Sequence, residues 1–151
     1  MFRSFFKKNT KNSKEKTFEL DEKTFSLACI LVEAALADES FGEDEKKIII
    51  KILKKQSSID DNEYLDKTLE RAIKTFNEAS DLITHTRKIK NSWSLEERIE
   101  VIEMLWEVCL VDGMLEPYED MLIRRVSGLI YVDDKSRAIA KSNALKKLND
   151  K

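Results

Sequence analysis

The stretch Leu105–Arg124, LWEVCLVDGMLEPYEDMLIR, decides the fold, because its pattern occurs a second time 74 positions upstream in Leu31–Ile50, LVEAALADESFGEDEKKIII. Six further pairs, among them Phe41/Leu115 and Ile48/Leu122, exchange one apolar side chain for another, as a repeated core-facing pattern should. Each copy is predicted to form an apolar helix, a short turn that holds an Asp, and a second helix with a Glu in its first turn. The identical pairs are Leu31/Leu105, Glu33/Glu107, Leu36/Leu110, Asp38/Asp112, Glu45/Glu119 and Ile49/Ile123.

The composition favours an all-α fold. The 151 residues include only three glycines and one proline, and 37% are charged, which leaves little of the turn chemistry that a sheet needs. Helical spacing and cap signals predict about seven helices in a compact bundle, with an internal pseudo-two-fold helix-turn-helix repeat. The clearest signals are Ser94-x-x-Glu97, a capping box before a helix from Leu95 to Val111, and Pro117 as the first residue of the next helix.

Positive charge is concentrated at the N-terminus. Residues 1–14 contain five Lys or Arg and no acid, so the other 137 residues sum to −7 within the formal net charge of −2. This distribution argues against a nucleic-acid-binding core, which would need a basic surface to neutralise phosphates. We predict that residues 1–20 form a basic, flexible segment and that residues 21–151 form the helical domain.

The basic segment also has a short apolar side, so it is a candidate for docking to a protein partner or to an anionic membrane. No run of about 20 apolar residues occurs, and the N-terminus lacks the apolar stretch of a secretion signal. A cytoplasmic location is therefore expected, with peripheral contact to the inner face of the membrane. The docking residues would be Arg3, Phe5, Phe6, Lys7 and Lys8.

Each copy of the repeat carries three acids in the pattern Glu-x4-Asp-x6-Glu. Asp112, Gly113, Leu115 and Glu119 have the spacing of the second half of an EF-hand loop, but the acids of the first half are absent. A self-contained EF-hand is therefore not predicted. A cation site assembled across both copies is possible, because hard divalent cations need four or more oxygen ligands. Its ligands would be Asp38, Glu45, Asp112 and Glu119, and the cation would be calcium first, then manganese or magnesium.

Two other interpretations of these acids stay open. Glu45 and Glu119 stand at the third position of their helices if Gly42 and Glu116 are N-caps, where a carboxylate stabilises the helix start without metal. The acids could also form a recognition patch for basic partners. Glu33 and Glu107 are expected to be supporting or structural acids, paired with a basic residue such as Arg71, Arg87 or Arg98.

Other site chemistries find little support in the sequence. His85 is the only histidine, and no Glu-x-x-His occurs, so a helical di-iron site and a zinc site are disfavoured. No Gly-rich phosphate loop or Ser-His-Asp arrangement is visible. Cys29 and Cys109 lie in apolar helical runs and are predicted to be buried thiols in a reducing compartment. We therefore predict a non-enzymatic protein, with a metallo-hydrolase as a minor alternative.

The chain resembles the TerB-like domain of the tellurite-resistance and stress-response family from about Thr24 to Leu148. The resemblance implies an all-helical, non-enzymatic domain with internal pseudo-symmetry, a metal-binding acidic cluster and membrane-linked or stress-response partners. Glu39, in place of glycine in the first turn, departs from the pattern and weakens the case for two equal sites. The matching residues are Leu95-Glu96-Glu97-Arg98, Leu105-Trp106-Glu107-Val108, Asp112-Gly113, Glu119, Leu122–Val126, Leu31-Val32-Glu33, Asp38, Glu45, Asp81-Leu82 and Thr86.

Overall fold

The computed structural model describes residues 13–36, 42–79, 82–111 and 113–150, and within them the chain forms seven helices and no strand. The all-α prediction with about seven helices is confirmed. The pseudo-two-fold relation between the two copies stays a prediction. The helices are α1 (Ser13–Ala35), α2 (Glu43–Ser57), α3 (Asn62–Ala79), α4 (Leu82–Ser92), α5 (Leu95–Cys109), α6 (Pro117–Leu129) and α7 (Asp134–Asn149).

Helices α1 and α5 form the centre of the bundle. Every side chain of α1 from Leu27 to Ala35 is buried except that of Glu33, and every side chain of α5 from Val101 to Cys109 is buried. α1 packs against α2, α3, α4 and α5, and α5 also packs against α6 and α7. Because these turns are apolar on nearly all sides, other helices must enclose them.

The capping signals in the sequence mark the observed helix starts. At α5, the Ser94 hydroxyl accepts the Glu97 N–H at 3.2 Å, and the Glu97 carboxylate accepts the Ser94 N–H at 2.9 Å. Pro117 is the first residue of α6, as predicted. The Asp133 carboxylate accepts the Ser136 N–H at 2.7 Å and caps α7. These bonds satisfy N–H groups that have no partner inside the helix.

Some helix bounds differ from the prediction. α1 begins at Ser13, upstream of the strong pattern at Thr24, and α5 ends at Cys109 rather than Val111. α3 begins at Asn62. Its cap is Asp61, whose carboxylate accepts the Tyr64 N–H at 3.1 Å.

The C-terminus of α6 closes in a Schellman motif. The Val132 N–H donates to the Ser127 carbonyl at 2.8 Å, and the Tyr131 N–H donates to the Gly128 carbonyl at 3.3 Å. Tyr131 has φ 60° and so occupies the left-handed position that glycine usually fills. A residue with a side chain costs about 1–2 kcal/mol in this conformation.

The two cysteines are buried free thiols, as predicted. Burial raises the pKa of the Cys29 thiol to about 12, so this group stays protonated at neutral pH. Trp93 and Trp106 are also buried, at 6% and 2% exposure, and both belong to the core.

Candidate functional site

Glu45 and Glu119, the last acids of the two copies, occupy equivalent positions in their helices. The Glu45 carboxylate accepts the Gly42 N–H at 2.9 Å, and the Glu119 carboxylate accepts the Glu116 N–H at 3.0 Å. Both glutamates are therefore at the third position of a helix and fold back on the residue before it. The capping interpretation of these two acids is confirmed. In each carboxylate, one oxygen accepts the capping hydrogen bond.

Asp38 and Asp112 lie outside the described residues, so the assembly of the four-acid cation site stays a prediction. Within the part of the chain that the structure describes, no group of three or more His, Cys, Asp and Glu side chains is arranged to hold a metal ion. Glu45 and Glu119 fit a divalent cation only in part. Each carboxylate has a second oxygen, but such a cation needs further oxygens, which the predicted site assigns to the two aspartates.

The supporting acids Glu33 and Glu107 lie on the two central helices. Glu107 is 9% exposed, and its carboxylate lies 3.7 Å from the Lys147 ammonium on α7. Glu33 is half-buried on α1. Sequence analysis had suggested arginines as partners. One of them, Arg98, instead donates to the Trp93 carbonyl at 3.2 Å and the Ile130 carbonyl at 2.8 Å.

Sequence analysis missed a row of four acids along α5. Glu97, Glu100, Glu103 and Glu107 follow one another at helical spacing, which places them on one side of the helix. Lys147 pairs with Glu103 as well as Glu107. At the other end of the row, the Lys23 ammonium lies 3.0 Å from the Glu97 carboxylate. The spacing of the acids along this helix, whose other residues from Ile99 onward are apolar, could have indicated the row. The lysines come from α1 and α7 and could not be assigned from it.

The Glu100 carboxyl, in the middle of this row, has a raised pKa. Burial, together with the negative charges of Glu103 and Glu97, raises the pKa of its carboxyl from 4.5 to about 6. The folded protein therefore binds a proton at Glu100 more tightly than the unfolded chain does. The charged form of this side chain opposes folding at neutral pH.

Replacing Glu100 by Gln is expected to raise the free energy of unfolding at pH 7.5 by about 1–2 kcal/mol. The penalty for the buried charge is absent below pH 4.5 and complete above about pH 6, so wild type loses stability relative to Glu100→Gln as the pH rises through this interval. Urea unfolding at about pH 4.5 and pH 7.5 measures the difference. Glu96→Gln, at an exposed site of the same helix, is the control. Equal pH dependence of wild type and Glu100→Gln would contradict the prediction.

Three large apolar side chains are exposed where α6 begins. Met114 is 66% exposed, Tyr118 55% and Met121 68%. Tyr118 and Met121 are three residues apart and share one side of the helix, while Met114 lies in the turn before it. We call these three residues the α6 patch.

The docking residues predicted at the N-terminus, Arg3, Phe5, Phe6, Lys7 and Lys8, lie outside the described residues. Among the helices that the structure describes, none combines the length and the apolar character needed to cross a membrane.

The comparisons with known proteins agree with the resemblance seen in the sequence. The family model described as "Tellurite resistance protein TerB" matches residues 24–142, a span that holds both copies of the repeat. A search of curated proteins and a search of solved structures gave no match. TerB is generally a non-catalytic family. Since the matched span is far more than half of the chain, this protein belongs to the TerB family of tellurite resistance proteins.

Proposed function

We propose that this chain is a non-enzymatic binding module that docks a partner protein through the α6 patch. The supporting observation is that Met114, Tyr118 and Met121 each leave more than half of their surface in contact with solvent. Adjacent exposed apolar side chains commonly mark an interaction site. An apolar helix face with anchors three and four residues apart is a recurring way to recognise a partner.

The surroundings of the α6 patch indicate the chemistry of the partner. Glu116 is exposed beside it, and the Asp120 carboxylate lies 3.0 Å from the Arg124 guanidinium on the same helix. Asp120 already has a cation beside it, so a partner segment with apolar side chains next to Lys or Arg would match the exposed Glu116. Methionines adapt to varied apolar surfaces, and burying one contributes about 1.5–3 kcal/mol.

Two synthetic helical peptides with leucines at identical positions, and either lysines or glutamates at the polar positions, test this docking surface. We expect the lysine peptide to bind more tightly, because the exposed Glu116 lies beside the patch. Met121→Lys should weaken this binding by about tenfold, as followed by fluorescence anisotropy. Ile139→Lys, at a site 51% exposed on α7, is the matched control. Equal loss in both variants, or equal binding of both peptides, would contradict the proposal.

A divalent cation held by Asp38, Glu45, Asp112 and Glu119 is the second candidate function. Its support is the matching geometry of the two glutamates: their carboxylates accept the N–H of Gly42 and of Glu116, each four residues after one of the aspartates in the sequence. Calcium is the first choice, because it accepts many oxygens in flexible geometry, and manganese or magnesium comes next.

Calorimetric titration of calcium, manganese and magnesium into chelator-treated protein tests the cation site. Glu119→Gln removes the charge but keeps an oxygen that can accept the Glu116 N–H, since Gln also serves in a capping box. We expect this variant to stay folded and to bind the cation at least about tenfold more weakly. Glu116→Gln, an exposed acid of the same turn outside the ligand set, is the control. Absence of heat in wild type, or unchanged binding in Asp112→Asn/Glu119→Gln, would eliminate the site.

The N-terminal segment is proposed to hold the module at the inner face of the membrane in the cytoplasm through Arg3, Phe5, Phe6, Lys7 and Lys8. Since α1 begins at Ser13, removal of residues 1–12 leaves the described helices complete. Co-sedimentation with vesicles of phosphatidylglycerol and phosphatidylcholine should detect the full chain but not the truncated one. Salt should weaken the binding. Equal sedimentation of both forms would end this proposal.

The match to the family described as tellurite resistance protein TerB supports tellurite resistance as the cellular setting of the module, and a role in stress response is proposed with it. In cells that lack the gene, we expect the wild-type chain and Ile139→Lys to restore growth on tellurite, and Met121→Lys to fail. If all three chains restore growth, tellurite resistance does not depend on the α6 patch.

A further inference from the structure

A pocket of about 240 Å³ opens between α4 and the C-terminal end of α6, at the opposite end of α6 from the α6 patch. We call it the α4/α6 pocket. Its lining includes Ile83, Thr86, Arg87, Lys90, Gly128 and Tyr131.

The charged side chains that line the α4/α6 pocket are all positive. It is lined by Arg87 and Lys90 and by no carboxylate. Helix α4 contains no Asp or Glu at all, although the chain outside residues 1–14 is acidic. Within the described residues, neither cation forms an ion pair. The larger groove between α2 and α3 is lined by lysines and acids together, so it selects no sign of charge.

Arg87 and Lys90 are placed to act on one ligand. They are three residues apart and therefore lie on the same side of α4. The Lys90 ammonium is 4.9 Å from the centre of the Tyr131 ring, which brings a cation and an aromatic face together. A guanidinium can donate two parallel hydrogen bonds to a phosphate or carboxylate.

The C-terminus of α6 borders the pocket, and free carbonyl oxygens there would repel an anion. These oxygens already accept hydrogen bonds. Ser127 and Gly128 each accept a backbone N–H from the turn that follows. Arg98 donates to the Ile130 carbonyl at 2.8 Å and lies 3.4 Å from that of Tyr131. The negative end of the helix is therefore largely neutralised beside the pocket.

Two lining residues, Tyr131 and Gly128, stabilise the local structure less than other residues would at the same positions. Tyr131 holds φ 60° while 68% of it is exposed, at a position where glycine has no steric cost. Gly128 lies within α6, and a Cβ added there would meet nothing within 4 Å, so alanine would fit and favour the helix. Residues that weaken local structure in this way concentrate at functional sites.

We propose that the α4/α6 pocket binds a small phosphate-class anion carried on an aromatic group. Arg87 and Lys90 bind the anion, and the Tyr131 ring contacts the aromatic group. Gly128 leaves the volume that the ligand fills, which explains why no side chain projects there. This binding site does not depend on the α6 patch or on the cation site.

Phenyl phosphate, inorganic phosphate and phenol separate the contributions of charge and ring. We expect phenyl phosphate to bind the full chain about tenfold more tightly than either of the others. The amide signals of residues 86–90 and 128–131 should shift in NMR titrations. Failure of phenyl phosphate to bind, or binding no tighter than inorganic phosphate, would overturn the proposal.

Variants of the lining residues locate the binding. Arg87→Gln and Gly128→Leu should each weaken phenyl phosphate binding by about tenfold or more, the first by removing a donor and the second by filling the pocket. Tyr131→Gly should weaken binding while raising the urea midpoint of unfolding, an outcome that a purely structural role would not give. Lys88→Gln, an exposed cation of α4 outside the lining, is the control. Equal affinity of Lys88→Gln and the two lining variants would overturn the proposal.

Discussion

Replacing Leu105 by Ala is expected to lower the free energy of unfolding by about 3–5 kcal/mol. The Leu105 side chain is completely buried, in a part of α5 where all neighbouring side chains are buried too. α1, α6 and α7 pack against this helix, so the surroundings can move little to fill the cavity that the substitution leaves. Urea unfolding at equal protein concentration measures the loss as a lower midpoint with an unchanged slope.

Leu95→Ala is the matched control for this cavity. It is the same substitution in the same helix, at a side chain that is 52% exposed. We expect it to cost less than about 1 kcal/mol. Similar losses for Leu95→Ala and Leu105→Ala would mean that the repeated apolar pattern does not mark the core.

The repeat made this core predictable from the sequence. Leu31 and Leu105 hold identical positions in the two copies, and both side chains are completely buried. Apolar spacing and helix caps are local properties, so the order of the seven helices and the capping box at Ser94 could be derived without tertiary information. The start of α1 could not be derived from the sequence in this way. Residues 13–24 are mostly charged and give no apolar period, although no Gly or Pro interrupts a helix there.

The candidate site was predictable only where the acids act on their own helices. The helix-start position of Glu45 and Glu119 follows from their spacing to the preceding turn, and the structure contains both bonds. The partner of Glu107 does not follow from local sequence, because Lys147 comes from a helix far along the chain. Such pairs depend on how the helices pack. Arg98, expected to pair with an acid, donates to backbone carbonyls in the structure.

One feature of the sequence indicates that a residue near Tyr131 has a strained backbone. α6 ends at Leu129 and the α7 cap is Asp133, so only three residues reverse the chain, and none of them is glycine. A short link after a helix usually needs one residue in the left-handed conformation. The sequence therefore required a non-glycine residue there. It did not reveal that the residue would border a basic pocket.

Replacing Lys147 by Met is expected to lower the free energy of unfolding by about 2–4 kcal/mol, below the full effect for a buried ion pair because a third of the Lys147 side chain is exposed. The ammonium serves Glu103 and Glu107 at once, and both are 9% exposed. Met fills a similar volume, so the loss comes from the two carboxylates that keep their burial and lose their cation.

Lys146→Met is the control for the stabilisation that any cation gives near the C-terminus of a helix. Lys146 precedes Lys147 in the last turn of α7, is exposed, and makes no ion pair among the described residues. Both lysines favour the helix C-terminus to a similar extent, by about 0.3–1 kcal/mol, so any larger loss in Lys147→Met belongs to the acids of α5. Urea unfolding at pH 7.5 should show a clearly lower midpoint for Lys147→Met, and addition of Glu103→Gln should recover part of the loss because one buried charge is then removed. If both lysine variants lose the same small amount, the acid row of α5 does not depend on α7 for its neutralisation.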